Sequence, residues 1–235
     1  MCVATPPVRL RNLLTTTSKS KCSASKARHL PMARIADIAM EFCGRGGKRL
    51  RPRLCRAAYL AEGGDPSDPR IETVCDAVEC FHKASLIHDD IQDCDEERYG
   101  RATVWKEHGL PVAIAAGDWL VAHGYEMIAG SGFANSLDMV KATVKSHIAL
   151  CEGQGDDLIL GAKAADGDYV SVCERKTGEA FALAAELGAL AAGGESAPYR
   201  RYGLDFGVVF QLRDDMADGE APEGLIKLFS WMLRL

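Results

Sequence analysis

The chain has 235 residues, of which 47% are hydrophobic and 26% charged, enough apolar sequence to bury a core and too much for a disordered polymer. Its 33 acidic residues outnumber 28 Lys and Arg, a formal charge of −5, so neither a nucleic-acid backbone nor an anionic membrane is an expected partner. No uninterrupted apolar run of about 18 residues occurs, which excludes a membrane-spanning helix; the Ala-rich stretch 181–192 comes closest and is broken by Glu186.

The chain opens with a basic, Ser- and Thr-rich stretch in which no acidic residue appears before Asp37. Residues 1–31 are therefore expected to be either a disordered arm or a transit-like segment, and 32–235 the folded domain. From Ile35 onward the periodicity is helical. Ile35, Ile38, Ala39 and Phe42 follow three/four spacing, and the glycines between Gly44 and Gly47 end that helix. A second helix has Pro52 in its first turn and stops at Gly63-Gly64. Asp68 and Pro69 provide a cap and first-turn proline for a long third helix reaching about Asp95. Pro111 opens another, broken at Gly130-Ser131-Gly132, and further helices are expected over 135–162, 168–192 and 198–218. No strand-like alternation of useful length and no internal repeat is present, so the expected fold class is all-α.

Nine cysteines, an odd number with no Cys-x-x-Cys pair and no secretory leader, read as small buried hydrophobes in a reduced compartment, with the cytoplasm as the expected location. A structural zinc site lacks its paired-ligand spacing. The acidic residues carry the sharper signal. Asp89 and Asp93, in Asp89-Asp90-Ile91-Gln92-Asp93, lie one turn apart on one helix face, where like charges repel unless a cation sits between them. Asp214 and Asp218 repeat the arrangement, with Gln211 one turn earlier. Carboxylates without His or Cys partners suit Mg²⁺, which completes its coordination with water and substrate phosphate oxygens. Lys48 and Arg51 beside Gly46-Gly47, Arg98 and Arg101 after the first acidic motif, and Lys176-Thr177-Gly178 interrupting a helix offer cations for such phosphates. His82 lies two turns before Asp89 on the same face. Glu79-x-x-His82 on its own does not make a di-iron centre, which needs a second such pair.

These residues resemble the trans-polyprenyl (isoprenyl) diphosphate synthase family. The matches are GGKRLRP at 46–52, HKASLIHDDIQD at 82–93, Arg98-x-Gly100, Gly153-Gln154-x-x-Asp157-Leu158, Lys176-Thr177-Gly178, and Phe210-Gln211-Leu212-x-Asp214-Asp215-x-x-Asp218, in family order. The resemblance implies a helical bundle around a deep central cavity, a homodimer, and elongation of an allylic prenyl diphosphate by isopentenyl diphosphate. It implies Mg²⁺ on Asp89, Asp90, Asp93, Asp214 and Asp218, with Asp215 and Lys176 also in the catalytic set. Arg98, Lys176, Thr177 and Gln211 would serve the allylic diphosphate, and Lys48, Arg51 and His82 that of isopentenyl diphosphate.

Two departures stand out. The family shows two adjacent arginines after the first motif, the second reaching isopentenyl diphosphate; here that position is Tyr99, which either weakens this contact or hands it to Arg101. The family also continues for several helices past the second motif, whereas only 219–235 follow it here, with Lys227 in an apolar tail. A chain shortened at its C-terminus is expected, with 225–235 as an amphipathic cover or an out-of-frame end. Ser85 and Ala84, four and five residues before Asp89, are small where the family uses bulk to floor the cavity, so a product of C20 or longer is expected. Two other readings remain at this point: a non-catalytic or partner-dependent subunit of a polyprenyl diphosphate synthase, and a class I terpene cyclase, which has no second diphosphate for GGKRLRP to hold.

Overall fold

A computed structural model describes residues 34–160 and 166–218. The N-terminal arm, Lys227 and the tail 225–235 lie outside the described residues. Nine α-helices are described: α1 (Ile35–Cys43), α2 (Leu50–Ala61), α3 (Arg70–Gln92), α4 (Val104–His108), α5 (Leu110–Ala129), α6 (Ser136–Leu160), α7 (Asp166–Cys173), α8 (Glu179–Ala192) and α9 (Ala197–Asp218). The all-α expectation holds, and no described helix is long and apolar enough to cross a membrane.

Local chemistry sets the boundaries. The Asp68 carboxylate accepts the Arg70 N–H at 2.9 Å, and Pro69 occupies the cap position of α3. Arg49, at φ 49°, turns the chain into α2, so that Pro52 falls within the first turn as expected. α3 is the central element. One side contributes Ile71, Val74, Val78 and Phe81 to a core shared with Tyr59, Ile128, Met139, Leu183 and Leu187. Another contributes Cys80, Ala84 and Ile87 to a second core with Ala39, Phe42, Val104, Ala113, Ala116 and Leu120. A helix apolar on several sides is buried between layers rather than laid on a surface. α2 and α8 pack backbone against backbone: a Cβ on Gly188 would lie 2.0 Å from the Cys55 carbonyl oxygen. Arg200 ties α9 to α8 and α6, donating to Glu179 (2.6 and 2.7 Å), Glu186 (2.9 Å) and Ser146 (3.1 Å).

Two local features were not expected, and the expected interruption at Lys176-Thr177-Gly178 takes a form the sequence did not reveal. A two-stranded hairpin, β1 (Glu97–Arg98) with β2 (Arg101–Ala102), turns at Tyr99-Gly100, both at positive φ (54° and 71°). Strands of two residues are too short to show alternation. The short α4 follows it directly. The helix expected over 168–192 is divided by a π-helical turn, Glu174–Gly178, at the Lys176-Thr177-Gly178 interruption.

Candidate active site

The last two turns of α3 carry the first acidic motif. Burial pushes the Asp89 carboxyl up to about 6, the neighbouring Asp93 charge adds to the rise, and the Lys176 charge opposes it. The surrounding cations are bound to other carboxylates: Arg98 to Asp90, Arg175 to Asp156 (2.7 Å) and Lys176 to Asp157 (2.6 Å). Among the described residues, Asp89 and Asp93 are left without a side-chain cation in contact, and no three His, Cys, Asp or Glu side chains converge tightly enough to bind a metal unaided.

Asp90 does not share their face. Successive helical residues point about 100° apart, and Asp90 is only 1% exposed, with Arg98 Nε donating to Oδ1 and Oδ2 buried without a partner. Burial raises its carboxyl despite the arginine. Arg98, expected on an allylic diphosphate, instead pairs with Asp90 and, at 3.6 Å, with Asp95. The hairpin is thus clamped to the end of α3. The Asp95 carbonyl takes Thr103 Oγ1 at 2.9 Å and Trp105 Nε1 at 2.7 Å, which secures the same junction.

A second wall is built from α6, the π-helical turn and α9. Gly153 on α6 lets the turn approach, since a Cβ there would stand 2.6 Å from Arg175 Cβ and 2.8 Å from its carbonyl carbon. Asp157, one turn on, accepts the Lys176 ammonium, and Gln154 donates to Gln92 of α3 at 2.8 Å. The Lys176 ammonium carries charge toward both Asp89 and Asp93 as well as Asp157. Thr177 Oγ1 donates to Gln211 Oε1 (2.7 Å), Gln211 Nε2 donates to Asp215 Oδ1 (2.6 Å), and the Tyr169 hydroxyl donates to Asp215 Oδ2. Both Asp215 oxygens are therefore engaged by the protein. Asp214 is exposed on the neighbouring position of α9, and Asp218 lies in its last turn with its side chain outside the described residues.

The cations expected for the second diphosphate stand at the α1–α2 loop. Lys48 is exposed. Arg51 lies with its guanidinium 4.3 Å from the Phe181 ring centroid and donates to His82 Nε2 at 3.3 Å; its Nε is buried and unpartnered. Burial lowers Arg51 to about 10, so it remains a cation, while burial and the cations Arg51, Lys83 and Arg98 push His82 down to about 3. His82 is thus a neutral acceptor at Nε2, because a guanidinium only donates, and its proton resides on Nδ1. Arg101, the alternative to the missing arginine, points elsewhere and donates to Glu41 at 2.7 Å. The cation beneath Tyr99 is Lys83, fully buried, its Nζ 4.6 Å from the Tyr99 ring centroid and bonded to the Arg45 and Gly46 carbonyls. Lys83, Asp157 and Tyr169 had no assigned role in the sequence reading; Asp157 and Lys83 at least fall inside matched motifs.

The two small residues before Asp89 separate. Ala84 is 1% exposed and packed in the α1–α5 core, whereas Ser85 is exposed with its hydroxyl donating to the His82 carbonyl at 2.8 Å. An apolar groove of about 420 Å³ lies between α2, α8 and α9, lined by Leu54, Ala61, Pro198 and Tyr202 among others, and includes none of the acidic or cationic groups above.

An all-α scaffold that sets two aspartate-bearing helix segments among lysines and arginines defines a protein of the isoprenoid synthase class. The polyprenyl synthetase family pattern matches residues 32–226, and the chain belongs to that family. It is 36% identical over 184 residues to the short chain isoprenyl diphosphate synthase of Methanothermobacter thermautotrophicus, covering 76% of this chain and 56% of that protein. The geranylgeranyl pyrophosphate synthetase of the archaeon Geoglobus acetivorans superposes with a TM-score of 0.76 at 30% identity, over 83% of this chain and 69% of that one. A polyprenyl synthase from Caulobacter crescentus complexed with calcium and isoprenyl diphosphate gives 0.70 at 32% identity, over 76% and 54%. The chain spans between about half and three-fifths of the length of the curated relatives it matches.

Proposed function

We propose that this chain carries the catalytic face of a Mg²⁺-dependent prenyltransferase that joins an allylic prenyl diphosphate to isopentenyl diphosphate, releasing diphosphate, and that it acts as a homodimer on products of C20 or longer. The observation that carries this reading is the Asp89–Asp93 pair, with no side-chain cation in contact among the described residues and Lys176 opposite, in which Asp89 is partly buried and its carboxyl raised by that burial. A carboxylate pair in that state fits a divalent cation of hard-oxygen preference. Asp89 and Asp93 would hold it from α3, and Asp214 and Asp218 from α9. When bound, it neutralises charge on the departing diphosphate. Asp90 and Asp215, held by Arg98, Gln211 and Tyr169, act as positioning groups that fix the hairpin and α9.

The residues divide the remaining work. Lys176, held by Asp157, would stabilise the negative charge that builds on the diphosphate as the allylic C–O bond breaks and its electron pair leaves with that group. Arg51 and Lys48 hold the second diphosphate, Arg51 with an unpartnered Nε to offer. The alkene of isopentenyl diphosphate supplies the electrons of the new C–C bond, and the proton then lost goes to the released diphosphate. His82 is not the base, since its Nε2 already accepts from Arg51 and its basicity is strongly depressed. Labelled isopentenyl diphosphate, supplied with farnesyl diphosphate and Mg²⁺, is expected to enter extractable lipid, and Asp89→Ala to abolish this. A folded wild-type protein that incorporates no label would refute the assignment of activity and leave the family membership standing.

A further inference from the structure

The α1–α2 loop has an unusual foundation. Lys83 has no exposed surface and no carboxylate in ion-pair contact among the described residues. Its ammonium is satisfied by the Arg45 carbonyl, by the Gly46 carbonyl at 3.1 Å, and by two ring faces, Tyr99 at 4.6 Å and Phe42 at 5.7 Å. Glu79, buried one turn earlier on α3, attracts it without ion-pair contact, and a buried ammonium with no carboxylate in contact is costly unless its surroundings solvate it in this way. Tyr99 also covers the turn itself: a Cβ on Gly46, which sits at φ 45°, would lie 2.9 Å from Tyr99 Cγ, and one on Gly47 3.5 Å from the Tyr99 hydroxyl and 3.6 Å from Lys83 Nζ. The turn is pinned from below by the lysine and capped from the side by the tyrosine. Lys48 and Arg51 follow immediately in sequence.

We propose that Lys83 and Tyr99 act as one positioning unit for the anion-binding loop 46–51, with the charge absent at position 99 supplied from position 83, so that an arginine at 99 serves the loop only when position 83 is uncharged. The proposal rests on the reading of that loop as the site of the second diphosphate. Two cations about 5 Å apart under a partly desolvated loop repel strongly, whereas the tyrosine ring attracts the ammonium. The two positions should therefore be energetically coupled.

The test is a calorimetric titration of wild type, Tyr99→Arg, Lys83→Met and the double variant with inorganic diphosphate in EDTA, where the unneutralised aspartates repel the probe from the metal face. Tyr99 is 43% exposed, and melting temperatures of all three variants separate any loss of fold from a change in binding. Lys83→Met is expected to weaken diphosphate about tenfold. Adding Tyr99→Arg in that background should improve affinity, and its effect there should be at least about fivefold more favourable than in wild type. Independent, multiplicative effects would overturn the proposal, as would unchanged affinity in Lys83→Met or no binding by wild type. Parallel assays of isopentenyl diphosphate incorporation separate the two levels. Coupling in a protein that elongates nothing would sink the prenyltransferase reading alone. Elongation with KM for isopentenyl diphosphate indifferent to both positions would sink the positioning unit alone.

Discussion

Asp89 should destabilise the fold it serves. Its carboxyl is moved from 3.8 to about 6 in the folded protein, mainly by burial. A carboxyl raised in this way binds its proton more tightly when folded, so stability is greatest below the unfolded value. It falls as pH rises from about 4 to about 6 and stays depressed above that. Two units correspond to at most about 3 kcal/mol, and the remaining solvent contact reduces this to about 1–3 kcal/mol. Asp89→Asn removes the charge while keeping the shape. In EDTA at about pH 7.5 it is expected to raise the unfolding free energy by that amount, or Tm by about 2–10 °C. The gain should vanish near pH 4, where the wild-type carboxyl is protonated in the folded state. Urea denaturation at the two pH values measures it. An equal gain at both, or none at pH 7.5, would refute the electrostatic account. Mg²⁺ should raise the Tm of the wild type and leave Asp89→Asn nearly unmoved.

Four further outcomes are expected. Gly153→Ala should leave a folded protein with kcat lowered tenfold to about a hundredfold, because the new methyl displaces the Arg175–Lys176 backbone from its aim at the acidic face; steady-state kinetics at saturating substrate measure it. Arg200→Met should cost about 3–5 kcal/mol in urea denaturation, since it strands Glu179 and Glu186 between α8 and α9. Ser85→Phe should shorten the prenyl product seen by chromatography, whereas Ala84→Phe should lower Tm by overpacking the α1–α5 core. The pH profile of KM for isopentenyl diphosphate should keep its shape in His82→Asn, because His82 stays neutral down to about 3 and adds no ionisation to those of Asp89 and the substrate phosphate.

Helical periodicity and its punctuation account for what was legible in the sequence. Asp68-Pro69 opens α3, Gly63-Gly64 closes α2, and Pro111 starts α5 within a residue or two of where they were expected. The one-turn rule likewise placed Asp89 and Asp93 together. It was silent on Asp90, whose adjacency in sequence suggests a common role, although its side chain is rotated into a hairpin that no periodicity reveals. The pairing of Arg98 with Asp90 was hidden for the same reason, because it is set by that hairpin. Lys83 was beyond reach for a different reason. Its partners are main-chain carbonyls 37 and 38 residues earlier, and backbone acceptors leave no trace in side-chain identity.

The acidic residues of the site sort by what neutralises them. Asp90, Asp156 and Asp157 each have a cation of their own, and Asp215 has two neutral donors. Each of these fixes a piece of scaffold: the hairpin, the π-helical turn through its adjacent Arg175 and Lys176, and α9. Among the described residues Asp89 and Asp93 lack such a partner, and Asp89, raised mainly by burial, bears an electrostatic cost. A protein selected for stability alone would place a lysine between them, one turn from either. Lys176 is the residue able to do so, and it is instead drawn back by Asp157 at 2.6 Å. Under the proposed reading, Asp157 would keep the nearest ammonium available to an incoming anion while leaving the α3 pair open to a divalent cation, so that the two requirements of diphosphate departure would be met from opposite walls.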